Sequence, residues 1–271
     1  MIKFRSVALL AGAALLGTAC GPEAAPQEPE KQLSWEEFRA SVYQEPWEDG
    51  VFIVDNDIPL ATEAELREYF EQSLKGEVGS HAGGLAVYYS GGQDIKWQGS
   101  AALNITYCVS TTFGSNYSKV VSAMASAAGA WEAAGKVDFI HVSSQDSNCT
   151  SRNGNVVFDV NPVNTSQYLA RAFFPNSSRR SRNVLIAGSS FGNISPWTLT
   201  GVLRHELGHT LGFRHEHTRV SSTGCYEDAQ WRGLTPYDSG SVMHYPQCNG
   251  SNNGDLSLTN SDKSGAAALY P

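Results

Sequence analysis

The run "HELGHTLGFRHEH", residues 205–217, holds four of the chain's seven histidines. Five of its positions are regularly spaced: His205, Glu206, His209, Gly212 and His215 fit H-E-x-x-H-x-x-G-x-x-H. Residues four apart on a helix share a face, so His205 and His209 can present both imidazoles to one ion. Glu206 is the neighbour of a ligand, not a ligand itself, and points beside the metal, where it can take a proton from water. Gly212 can adopt a positive φ without penalty, so the helix can stop there and the chain can turn sharply. That turn lets His215 approach the same ion from below. Three neutral imidazoles leave one position open for water, the arrangement of a catalytic zinc rather than a structural one. Zinc lowers the pKa of bound water to roughly 7, and Glu206 can help generate hydroxide and carry the proton to a leaving amine. A bare H-E-x-x-H is a weak signal, but the extended form fixes five positions and is far more specific.

The rest of the chain supplies a scaffold for such a helix. From residue 100 onward, "ALNITYCV", "VDFIHVS", "NVVFDV", "YLARAFF" and "NVLIAG" read as strands. Residues 117–134 read as a long Ala-rich helix with Val120, Met124 and Trp131 on one face. "SPWTLTGVLRHELGHTLG" gives a second helix, with Ser195 as cap and Pro196 in the first turn. Beyond Gly212 the chain is mostly loop up to a terminal helix, "SDKSGAAALY". The order predicts an α/β or α+β sandwich with a loop-rich lower half; α+β is the class taken forward.

Charge divides the chain. Residues 21–99 carry five Lys/Arg against sixteen Asp/Glu, and residues 100–271 carry twelve against eleven. The net charge of −8 argues against nucleic acid as a partner, because phosphate binding needs a basic face. Residues 1–20, with Lys3 and Arg5 before an apolar run and then "GTAC", read as an export signal, too short to span a membrane. Cys20 resembles the lipidated cysteine of a bacterial lipoprotein box, imperfectly, since Gly17 takes the slot expected for Leu16. The acidic stretch 21–99 begins without periodicity. It then offers a short helix at "SWEEF" with a Ser34–Glu37 capping box, a strand at "VFIVDND" and an amphipathic helix at "TEAELREYFEQSL". Four cysteines remain, Cys108, Cys149, Cys225 and Cys248, and an even count in an exported chain suggests two disulfides. Of three possible pairings, Cys108–Cys149 with Cys225–Cys248 is favoured, because each would staple one side of the histidine run.

A second motif, "SVMHYP" at residues 241–246, lies shortly downstream. With it, the zinc run resembles the signature of the metzincin metalloproteases, Met243 matching the methionine of their Met-turn. Within that clan it looks most like the astacins. Phe213 and Glu216 complete "GFxHE", Arg219 matches "HExxR", and a tyrosine follows the methionine by two residues. The match stops at Val220. The layout is similar to that of the small myxobacterial metallopeptidases of the HEIGH type.

The resemblance implies a twisted, mostly parallel five-stranded sheet with two helices above an active-site cleft, over a loop-rich lower subdomain. It implies one catalytic Zn2+ on His205, His209 and His215, with Glu206 as general base. Met243 becomes an apolar floor, and Tyr245 a donor to the oxyanion of the tetrahedral intermediate; the alternative is an aromatic packed beside Pro246. Glu216 becomes a structural anchor, and His217 and His244 flank the site without binding metal. Residues 21–99 become a pro-segment and 100–271 the catalytic domain, with processing near residues 79–100. Asp57 takes the slot of an aspartate that caps zinc in astacin zymogens; Asp55 and Asp57 can equally shape a turn before Pro59.

The implied protein is a monomeric, secreted or lipid-anchored bacterial endopeptidase acting on proteins or peptides, with a membrane contact only through Cys20. Substrate would add as a strand along "YLARAFF", and "SRRSR", residues 178–182, is a selector of acidic side chains, a cleavage site or, as such runs usually are, a solvated loop. Two other readings stay open: a catalytically silent, zinc-stapled binding lipoprotein, and an amide hydrolase acting on cell-wall peptides.

Overall fold

The computed structural model describes residues 33–47, 50–75, 85–219, 225, 230–251 and 254–271. The export signal and Cys20 lie outside the described residues. In chain order the elements are α1 (Trp35–Ser41), β1 (Tyr43–Gln44), β2 (Phe52–Val54), β3 (Ile58–Leu60), α2 (Glu63–Lys75), β4 (Ala86–Ser90), β5 (Gln93–Asp94), β6 (Ile105–Val109), α3 (Tyr117–Glu132), β7 (Phe139–His141), β8 (Phe158–Val163), β9 (Ala170–Arg171), β10 (Asn183–Ala187), α4 (Leu199–Thr210), β11 (Trp231–Gly233) and α5 (Asn260–Leu269). Residues 33–271 form one compact unit.

The five strands expected after residue 100 form one sheet in the order β7-β6-β8-β10-β9. All neighbours in it are parallel except β9, which runs antiparallel to β10 and ends the sheet as its edge. The strands are nearly continuous apolar runs where the helices cover them: Phe158, Val160, Val184 and Ile186 are fully buried. α3 and α4 close the core above the sheet. Trp131 of α3 stacks on Phe213 at 5.1 Å and donates its indole N–H to the Arg204 carbonyl of α4 at 2.8 Å. The expected cap of α4 moves by three residues. Thr198, not Ser195, accepts the Gly201 amide at 2.9 Å, because the hydroxyl must face the third amide of the first turn.

Both disulfides join the favoured partners. Cys108–Cys149 ties β6 to the loop before β8, and Cys225–Cys248 closes part of the lower half. Among the described residues no helix is long and apolar enough to cross a membrane.

The composition break near residue 100 is not a break in packing. Leu85 and Val87, upstream of it, are fully buried in the same core as Trp131, Leu207 and Phe213. β4 pairs with β11, and Val87 bridges to Phe213 just past α4. Residues 35–75 form a smaller layer of their own. α1 carries the expected Ser34–Glu37 capping box, β1-β2-β3 make an antiparallel sheet, and α2 packs on both. Phe52, Val54, Ile58 and Leu66 of this layer bury against Phe174, next to the edge strand β9.

Candidate active site

α4 positions the first two histidines. His205 and His209 lie one turn apart on its buried face, and both are almost inaccessible. Gly208 between them admits no side chain, since a Cβ there would meet the Met243 sulfur at 2.4 Å. Met243 therefore packs directly beneath the helix. Gly212 ends the helix with a φ of +99°, and a Cβ there would sit 2.0 Å from the Ile95 carbonyl. The turn is then locked by backbone pairing to β4: Tyr88 donates to the Gly212 carbonyl and Arg214 to that of Ala86, each at 2.7 Å. His215 is thereby carried back under α4.

The three imidazoles meet edge to edge. His215 Nε2 lies 3.1 Å from His205 Nε2 and 3.2 Å from His209 Nε2. Their other nitrogens are occupied. His205 Nδ1 faces the Val242 carbonyl and His209 Nδ1 the Phe213 carbonyl, each at 2.7 Å, and His215 Nδ1 faces Asp55 Oδ2 at 2.9 Å. Carbonyls and carboxylates only accept, so these contacts put the protons on Nδ1 and turn three Nε2 lone pairs toward one point. Burial and the neighbouring imidazoles hold His209 well below its ordinary pKa, so it stays neutral. Lone pairs at that spacing repel unless a cation sits between them. Ligands about 2.0–2.1 Å from a tetrahedral zinc lie about 3.3 Å apart, which this donor set fits.

A fourth group reaches the same point. Asp57 is 3.4 Å from His205 Nε2 and 3.3 Å from His215 Nε2, and the four residues together make a metal-competent cluster. Asp57 arrives on the tight turn between β2 and β3, where Asp55 and Asn56 have φ of 45° and 68°. Burial pushes its carboxyl up, but the facing histidines outweigh this and hold it well below the usual carboxylate range. Its Oδ1 is buried and accepts no hydrogen bond. Tyr245 donates its hydroxyl to Asp57 Oδ2 at 2.5 Å, with the Asp55 carbonyl 3.0 Å from the same oxygen, while its ring lies against His205 and His215.

Glu206 sits beside this cluster, 2% exposed, with Oε2 buried and unpartnered. Burial raises its carboxyl well above the ordinary value, and the Asp57 charge raises it further. A cavity of about 390 Å³ opens beside it, lined by Trp197, Val202, Leu256 and Tyr168 among others. Glu216 is fully buried and accepts from Arg219 and the Asp238 amide at 2.7 and 2.9 Å. His244 is engaged by the Tyr237 hydroxyl at 2.7 Å, and His217 by Asp55 at 3.2 Å.

Sequence reasoning missed a second polar centre. Arg171, in "YLARAFF", is 2% exposed and grips Glu45 with two hydrogen bonds of 2.7 Å. Two arginines of the basic run 178–182 are engaged with the scaffold, Arg179 holding Asp159 and backbone carbonyls and Arg182 the Ser177 and Pro175 carbonyls, while Arg180 is exposed. The available signal was a lone arginine inside an apolar strand.

Residues 96–228 match the matrixin family of peptidases. High choriolytic enzyme 2 of Oryzias latipes is 36% identical over 63 residues, 17% of this chain and 22% of that protein. Zinc metalloproteinase nas-30 of Caenorhabditis elegans is 36% identical over 64 residues, 17% of this chain and 9% of that protein. The chain thus spans about a fifth or less of the length of these curated relatives. Among solved structures, myroilysin superposes with a TM-score of 0.46 at 19% identity, covering 69% of this chain and 98% of that one. High choriolytic enzyme 1 of Oryzias latipes gives 0.40 at 18% identity, covering 65% and 97%.

Proposed function

We propose, from the premise that residues 96–228 are those of a metzincin-type zinc metalloprotease, that this chain is an exported endopeptidase made as a zymogen. The observation that carries the reading is the meeting of three Nε2 atoms beside an unpartnered glutamate. Bound zinc supplies a Lewis acid that polarises the scissile carbonyl and brings the pKa of water down to roughly 7. Glu206 takes the proton of the attacking water on Oε2 and returns it to the leaving amine. In the uncleaved chain burial and the Asp57 and Asp55 charges raise the Tyr245 phenol well above its ordinary value, and without those charges a phenol, of pKa about 10, is still a protonated donor near neutral pH. Freed of Asp57, that hydroxyl can stabilise the developing oxyanion in a dry site. The apolar walls of the cavity beside Glu206 favour substrates with a large apolar side chain near the cut.

Two features support latency. Asp57 lies opposite the three imidazoles, where water would have to bind, and its Oδ2 accepts the Tyr245 hydroxyl that would otherwise face the oxyanion. The layer 35–75 then acts as the pro-segment. Its release requires cleavage upstream of Leu85, because a cut between 85 and 100 would sever the core strand β4. Export is supported by the leader-like residues 1–20 and by the two disulfides; Cys20 is the candidate lipid anchor.

The test is the intact mass of full-length protein with zinc over time, wild type beside Glu206→Gln. The wild type trims itself upstream of Leu85, while the variant binds one equivalent of zinc and stays whole. Loss of the general base lowers the rate by about 10²–10⁴-fold. Equal trimming in both would refute the role of Glu206. Zinc binding without hydrolysis of any protein or peptide, even after the segment is removed by an added protease, would favour a cell-wall amide or a binding role.

A further inference from the structure

The clamp on Glu45 is built on one side only. Arg171 donates from Nε and Nη2 to the two oxygens of Glu45, each at 2.7 Å, and the Tyr168 hydroxyl donates to the same carboxylate at 2.6 Å. Arg171 Nη1 donates to Asn183 Oδ1 at 2.6 Å, which fixes the plane of the guanidinium. Arg171, Tyr168 and Asn183 all lie downstream of residue 85, on the edge strand β9, just before it, and on β10. Glu45 alone comes from the layer that processing would remove. A guanidinium held in plane by a third group is already shaped for a carboxylate and loses little freedom on binding one.

The position of the clamp ties it to substrate. β9 ends the five-stranded sheet, the place where an extended peptide can add as a further strand. Side chains directly opposite one another on adjacent strands lie about 4.5–5.5 Å apart at Cβ, within reach of a guanidinium. Tyr168 joins the two regions, since it also lines the cavity beside Glu206 and His205. We propose that Arg171, with Tyr168 and Asn183, is the carboxylate-recognition site of the processed enzyme and selects peptides with Glu or Asp at the position running beside β9. Glu45 occupies that site in the uncleaved chain as a stand-in for the substrate's acidic side chain. The inference rests on the pro-segment reading above.

The experiment uses the processed form of the full-length chain, identified by intact mass and N-terminal sequencing. Quenched peptides that differ only by Glu or Gln, placed at each position around the scissile bond in turn, give kcat/KM for each pair. The wild type cuts the Glu peptide about tenfold or more faster at one position, as expected for a charge-assisted pair. Arg171→Gln brings that ratio to about one, read within the variant from its own Glu and Gln peptides. Tyr168→Phe gives an intermediate ratio. No Glu preference at any position in the wild type would overturn the proposal without recourse to a variant, so a misfolded Arg171→Gln does not rescue it. An undiminished ratio in a folded Arg171→Gln would also overturn it. If no segment is released, the pro-segment reading fails at the first step; Arg171 then stays filled by Glu45 and the proposal falls with it. Release without Glu preference refutes this inference alone.

Discussion

At the scale of single residues, the site depends on positions that carry no chemistry. Gly212 is the clearest. His215 reaches the other two imidazoles only because the chain reverses at a φ of +99°, with the Ile95 carbonyl where a Cβ would be. An L-residue there incurs both the left-handed penalty and a clash with Ile95, which cannot move away freely because its amide is bonded to Tyr88 of β4 and Tyr88 to the same turn. Gly212→Ala is therefore expected to lower stability by about 2–4 kcal/mol and to reduce zinc binding below one equivalent. Denaturant unfolding and metal analysis of the purified variant check both. Wild-type stability with full zinc content would show that the turn is not what delivers His215. Gly208 plays a related part, because its missing side chain lets Met243 lie against the helix. That is the physical content of the apolar floor beneath the histidines.

At the scale of elements, each disulfide fixes something the sheet alone leaves loose. Cys108–Cys149 spans 41 residues and holds the loop ahead of β8 against β6. Loop-closure entropy for that span predicts about 4 kcal/mol of stabilisation, so Cys108→Ala with Cys149→Ala should unfold at correspondingly lower denaturant with an unchanged active-site geometry. Equal midpoints with and without the bridge would sink the estimate. The sequence showed which elements exist far better than how they meet. The five strands, both long helices and the Gly212 stop follow from local pattern and backbone chemistry. The histidine run was legible because its three clustered imidazoles sit within eleven residues, two at helical spacing and the third just past the Gly212 turn. The cap of α4 was misplaced, since Ser195 and Thr198 are both good caps and only tertiary packing chooses between them. The Glu45–Arg171 clamp joins residues 126 apart and has no local signature. The packing boundary escaped for a similar reason: charge changes near residue 100, whereas β4, on the acidic side, belongs to the core.

At the scale of the whole molecule, the layer 35–75 is held to the rest by attachments of different kinds. Asp57 lies against the histidines, Glu45 sits in the Arg171 clamp, and the apolar cluster of Phe52, Val54, Ile58 and Leu66 packs on Phe174. These attachments do different jobs, and a single substitution can separate them. Asp57→Ala removes the carboxylate that faces His205 and His215 and lifts its charge from Glu206. The clamp and the apolar cluster remain, so the segment stays docked. The expected outcome is an intact chain that hydrolyses a small quenched peptide about tenfold or more faster than intact wild type, before any change in mass. Measuring the initial rate alongside intact mass makes the comparison clean. If the rate stays at the wild-type level while the segment remains attached, then the bulk of the layer, by blocking the cleft, silences the enzyme, and Asp57 only shapes its turn. If the variant sheds its segment faster without any early rate, Asp57 contributes to docking more than to capping. A raised rate at unchanged mass is the one result that assigns the capping role to Asp57 itself, because only the group opposite the three imidazoles has been altered.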